Sequence, residues 1–186
     1  MTYKRSELSQ IALKHLADAN LYSAPIDVDS LAHHIGAEVR YEPLEDKMSG
    51  FLVIKGNHST IVINSEHHPN RQRFTLAHEL GHLVLHANND HQDVLFVDKS
   101  IITKKETYNR DELSGKGEYK QEIEANRFAA ELLMPRKLLK DAVKEEGDDV
   151  DFSDDLLIYK LAQKFGVSEQ ALSIRLTDLK MLSISY

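Results

Sequence analysis

The stretch Phe74-Thr75-Leu76-Ala77-His78-Glu79-Leu80-Gly81-His82 decides how the rest of this chain is read. It sits in a run from about Asn70 to His86 that is apolar on more than one face, through Phe74, Leu76, Ala77, Leu80, Leu83, Val84 and Leu85, a pattern that predicts a buried helix. A four-residue step on a helix advances by about 400° and about 6 Å, so His78 and His82 leave the same face and can share one metal ion. Glu79 projects about 100° away, within reach of a metal-bound water but not itself a ligand. Burying two histidines and a glutamate on adjacent turns is costly unless a metal or a hydrogen-bond network satisfies them. The H-E-x-x-H pattern carries a known division of labour: zinc lowers the pKa of its water towards about 7, and the glutamate takes the proton as the water attacks a carbonyl.

Two histidines leave a catalytic zinc short of its usual three protein ligands and one open position. The chain has no cysteine, so the third ligand must be His, Asp or Glu. The segment Glu122-Ile123-Glu124-Ala125-Asn126-Arg127-Phe128-Ala129-Ala130 has the small and apolar residues that suit packing against the central helix. Glu122 and Asn126 stand four apart on one face, so Glu122 can bind metal while Asn126 orients a ligand histidine. Glu124 faces elsewhere and is the alternative ligand. For stabilising the oxyanion, His86, His91, Tyr108 and Tyr119 are all within sequence reach, and the sequence does not choose among them.

Outward from this core, Leu8, Ile11, Ala12, Leu16 and Ala19 predict an amphipathic helix from about Lys4 to Ala19. Asp27 or Asp29 can cap a short helix carrying Val28, Leu31, Ala32 and Ile35, which Gly36 stops. Ala37 to Tyr41 reads as a strand, and Gly50 to Lys55 with Thr60 to Asn64 as a hairpin around Gly56-Asn57-His58-Ser59, with a sheet edge near the hairpin that could bind a substrate as an added strand. Asn88 to Glu118 reads as a polar connection with apolar islands at Val94 to Val97 and Ile101-Ile102. Helical spacing returns from Gln121 to about Glu146, broken near Pro135, and two last helices span roughly Asp155 to Phe165 and Ser168 to Leu182. The expected fold is α+β: a small mixed sheet beside the buried metal helix, with a mainly helical C-terminal half. One domain over residues 1–186 is expected, its last helix pair, 155–186, packed on it.

Composition narrows the function classes. A formal charge of -7 argues against a general nucleic-acid binder, which needs a basic surface to displace phosphate counterions. No apolar run approaches the roughly 20 residues of a spanning helix, and no secretion signal follows Lys4 and Arg5, so a cytoplasmic protein without a membrane partner is expected.

The Phe74 to His82 stretch, together with Glu122 to Pro135 ending Ala129-Ala130-Glu131-Leu132-Leu133-Met134-Pro135, resembles the ImmA/IrrE family of bacterial and phage metallopeptidases. Looser similarity extends to the hairpin Ser49 to Asn64 and to Phe165-Gly166-Val167-Ser168-Glu169-Gln170-Ala171-Leu172, covering most of the chain from about Pro25. The resemblance implies a gluzincin-like fold, a cytoplasmic location and a substrate that is a helix-turn-helix repressor encoded with the peptidase. Cleavage would derepress phage, mobile-element or stress genes. No family motif matches Asn88 to Glu118.

The chain's end has helix-turn-helix spacing of its own, Leu161-Ala162, Phe165-Gly166-Val167-Ser168 and Ala171 to Leu176. Its charges are balanced, with Asp155, Glu169 and Asp178 against Lys160, Lys164, Arg175 and Lys180, so a packed or substrate-docking pair is expected rather than a DNA grip. The rival to a peptidase is a non-catalytic, metal-stabilised module that binds and sequesters a transcriptional regulator. Glu79 favours catalysis, because a structural zinc would normally have four closed ligands and no use for a base.

Overall fold

The computed structural model describes residues 3–87, 94–97, 112–147, 152 and 154–181. Helix α1, Arg5–Asp18, buries Leu8, Ala12 and Leu16 at four-residue spacing, so one stripe faces inward. In α2, Val28–Ile35, the cap is Asp27 and not Asp29: its carboxylate accepts the Ser30 N–H at 2.9 Å. Gly36 then ends the helix at φ +90°. Strands β1, Ala37–Glu42, β2, Gly50–Lys55, and β3, His58–Asn64, follow. The hairpin turn between β2 and β3 is tighter than expected, only Gly56 and Asn57, because His58 and Ser59 already pair with Lys55 and Ile54.

Helix α3, Pro69–His86, is the buried helix expected from about Asn70 to His86. The connection expected over 88–118 contains two elements that pattern alone did not expose: β4, Val94–Val97, and the first turns of α4, Glu112–Leu133. Four residues carry too little alternation to declare a strand, and β4 owes its conformation to pairing with β2. Polar residues and two glycines, Gly115 and Gly117, hide the start of α4, since each glycine lowers helix propensity by about 1 kcal/mol. Ile101 and Ile102 lie outside the described residues. Pro135 separates α4 from α5, Arg136–Glu145, as a residue without an N–H must. Helices α6, Asp155–Phe165, and α7, Glu169–Asp178, complete the described fold, while Leu182 lies outside it.

The sheet order is β1-β3-β2-β4, with β1 parallel to β3 and both β3 and β4 antiparallel to β2. The fold is α+β, with a mixed sheet and a mainly helical C-terminal half. Both hairpin strands are internal to this sheet, and its edges are β1, beside β3, and β4, beside β2.

Helix α3 packs between the β2–β3 hairpin and α4, with Leu52, Ile61, Ile63, Leu76, Leu80, Phe128 and Leu132 all fully buried. Local contacts set its pose. Gly50 lies so close to α3 that a Cβ there would stand 2.8 Å from Thr75 Cγ2, and Arg71 donates to Ser49 Oγ at 2.8 Å. At its other flank, Arg73 donates to Gly166 O and Ile26 O, and Asn70 to Val167 O, tying the α6–α7 turn to α3. Among the described residues no helix is long and apolar enough to cross a membrane.

Candidate metal centre

Every residue from Thr75 to His82 is buried, so the two histidines and the glutamate between them sit where sequence placed them, in the middle of a covered helix. The rings of His78 and His82 meet edge-on with centroids 4.7 Å apart, and their Nε2 atoms are 3.0 Å apart. Helix α4 crosses this face. Gly81 permits the crossing: a Cβ there would lie 3.0 Å from Ala125 Cα, so the glycine lets the two backbones meet.

This approach brings Glu122 to the histidines, with Oε2 at 3.3 Å from His78 Nε2 and Oε1 at 3.3 Å from His82 Nε2. Asn126, one turn on, stands behind His78 with Oδ1 at 3.0 Å from Nδ1. An amide oxygen only accepts, so His78 carries its proton on Nδ1 and presents the Nε2 lone pair to the Glu122 carboxylate. Acceptor faces acceptor there, an arrangement that calls for a shared cation, either a proton or a metal ion. Donors arranged tetrahedrally around zinc stand about 3.4 Å from one another, close to the separations found here. His78, His82 and Glu122 therefore fit a metal ion, each offering one ligand atom.

Electrostatics agree with an ionised third ligand. With a proton as that shared cation, burial pushes the Glu122 carboxyl up, but the hydrogen bonds and charge of the protonated imidazoles of His78 and His82 outweigh it and hold the group down at about 2. Glu122 is also the open member of the trio, its side chain 35% exposed against 2% for each histidine, so the centre faces outward on the α4 side.

Glu124, the alternative ligand, is not brought to His78 and His82. Its side chain is buried, with Oε2 at 3.7 Å from His86 Nε2 and Oε1 accepting the Tyr3 backbone N–H at 2.8 Å. Glu79 is fully buried on the turn of the two histidines. Of the residues in reach for stabilising an oxyanion, His86 is buried under α4, Tyr119 is 69% exposed, and His91 and Tyr108 lie outside the described residues. Sequence reading did not anticipate the tie between Tyr3 and Glu124, because nothing in a local pattern links positions 121 residues apart.

The sequence pattern of the IrrE N-terminal-like domain matches residues 32–177. The radiation response metalloprotease IrrE of Deinococcus radiodurans is 38% identical over 80 residues, which are 42% of this chain and 24% of that protein. The protein of the same name from Deinococcus deserti is 33% identical over 122 residues, 65% of this chain and 38% of that protein. The chain thus spans between about a quarter and two fifths of the length of these relatives. A solved structure of a Mycobacterium tuberculosis transcriptional regulator superposes with a TM-score of 0.59 over 92% of this chain and 47% of that one, at 18% identity, a likeness of fold.

Proposed function

We propose that this chain, which belongs to the IrrE N-terminal-like peptidase family, is a zinc-dependent endopeptidase that cleaves a helix-turn-helix transcriptional repressor and so derepresses the phage, mobile-element or stress genes it silences. The observation that carries this reading is the meeting of His78, His82 and Glu122 at 3.0 and 3.3 Å separations, with Asn126 behind His78. When bound there, zinc supplies Lewis acidity that polarises a carbonyl and makes water a nucleophile near neutral pH. Asn126 keeps the His78 proton on Nδ1 and the Nε2 lone pair turned inward. Glu79 accepts the proton of the attacking water at its carboxylate and delivers it to the departing amine nitrogen.

A regulator as substrate is supported by the family resemblance, and a metal-dependent protease by the names of the two Deinococcus relatives. A protein partner also suits the C-terminal helix pair, α6 and α7, better than DNA does. Arg175 is 2% exposed and spent on Glu131, while Lys160 and Lys164 pair with Glu146 and Glu145, so three of the four cations counted from sequence have acidic partners. Leu156, Tyr159 and Ile174 are exposed on the same pair and offer apolar contact instead. A cytoplasmic location follows from such a substrate.

The test is to incubate purified protein with the product of the neighbouring regulator gene and read the products by mass spectrometry. One or a few cuts are expected, abolished by a chelator and restored by zinc. A regulator that binds the zinc-loaded protein yet stays intact would replace proteolysis by sequestration.

A further inference from the structure

His86 extends the His78–His82 stripe by one more four-residue step, and its ring centroid lies 5.6 Å from that of His82. Its side chain is only 5% exposed, and it turns not towards Glu122 but towards the backbone beside it. Nε2–H donates to Gln121 O at 3.3 Å, and Glu124 Oε2 lies 3.7 Å from the same nitrogen. Gln121 and Glu124 flank Glu122 in α4. Glu124 is held in turn by the Tyr3 N–H, and the Tyr3 hydroxyl donates to Leu85 O at 3.4 Å, next to His86.

We infer that His86 is a positioning residue for the metal centre, the group that fixes the height of α4 along α3 so that Glu122 meets His78 and His82. The inference rests on the reading of that trio as the metal site. Two helices in contact can slide or rotate against one another, and a one-residue slip is about 1.5 Å and 100°. Ligand distances tolerate only about 0.2 Å. The close approach of Gly81 and Ala125 sets how far apart the helices lie, whereas directional hydrogen bonds set their height. Asn126 anchors α4 on one side of Glu122, through His78; His86 anchors it on the other, through the Gln121 carbonyl. The two anchors bracket the ligand.

The geometry sets the test. Glutamine extends its amide nitrogen about as far as the histidine Nε2 and can still donate to Gln121 O; asparagine is too short, and leucine fills space without a donor. Zinc affinity of His86→Gln, His86→Asn and His86→Leu is measured by competition with a chromophoric chelator, and ligand geometry by the visible spectrum of the cobalt(II)-substituted protein. His86→Leu and His86→Asn should bind zinc about 10- to 100-fold more weakly and change the cobalt bands, and His86→Gln should restore both. Should His86→Leu not fold, the Asn and Gln pair carries the comparison. Wild-type affinity and spectrum in His86→Asn, or an equal loss in the Gln and Asn variants, overturns the assignment. Failure of the unmodified protein to bind zinc would instead remove the metal centre itself, a separate outcome.

Discussion

Glu79, Glu122 and Glu124 are chemically identical carboxylates, and their neighbours alone divide them into different tasks. Glu122 faces two imidazole nitrogens that keep it ionised, as a metal ligand must be. Glu124 faces His86 and the Tyr3 amide. Zinc content measured after dialysis should therefore fall sharply in Glu122→Gln, as in His78→Ala and His82→Ala, and much less in Glu124→Gln. The reverse ranking of the two glutamate variants would move the third ligand to Glu124. Glu79→Gln retains size and hydrogen-bonding capacity but loses the base, so it should keep its zinc and its fold while turnover drops about 10²- to 10⁴-fold. In cells this variant should leave the repressed promoter silent. If it derepresses as wild type does, proteolysis is not the mechanism.

At the scale of elements, the centre depends on two helices meeting without side chains between them. Gly81→Val would force branched carbons against Ala125 Cα, which a Cβ alone already meets at 3.0 Å, and so push α4 from α3. Zinc affinity should fall although every ligand is intact, and restoring Gly81 should recover it; unchanged affinity would mean that α4 adjusts without moving Glu122. The cap of α2 is a more local device. Asp27 lies below the ordinary carboxylate range chiefly because it accepts the Ser30 N–H and hydroxyl. Asp27→Ala should cost about 1 kcal/mol in urea denaturation at neutral pH, whereas Asp27→Asn, which can still accept the Ser30 N–H, should cost less.

Across the whole molecule, Glu131 joins three helices far apart in sequence. It accepts both Nη groups of Arg175 from α7 at 2.7 and 2.6 Å, and Arg5 Nε from α1 at 3.3 Å. Arg175 also donates to Met134 O at the end of α4. Burial pushes the Glu131 carboxyl up, but the hydrogen bonds and charge of Arg175, helped by Arg5 and Ser9, prevail and hold it below its ordinary value. A depressed carboxyl stabilises the fold above its unfolded pKa, about 4.3, and that contribution is lost as pH falls through the folded value. Thermal stability should accordingly decline below about pH 4, and Glu131→Gln should remove this part of the acid dependence. At neutral pH the same variant leaves Arg175 buried without its counter-ion and should cost about 3–5 kcal/mol, whereas replacing Glu131 and Arg175 together by apolar residues should cost less than that.

The sequence by itself determined what short-range geometry dictates. Two histidines at a four-residue step must share a helix face, Glu122 and Asn126 likewise, and Gly36 and Pro135 end helices because their own backbones require it. What only the tertiary structure decided are the meetings across long stretches of chain. Pairing with β2 makes a strand of Val94–Val97, whose four residues have too little pattern of their own. The approach of α4 to Gly81 sends Glu122 to His78 and His82 and Glu124 to His86 and Tyr3, a choice that spacing ranked but could not make. Burial against Glu131 turns Arg175 from a cation that sequence counted on the surface into part of the core. Local periodicity is written into helix geometry and can be read one segment at a time. Contacts between segments depend on which faces pack together, and that is set by the apolar area and polar partners of the whole fold at once.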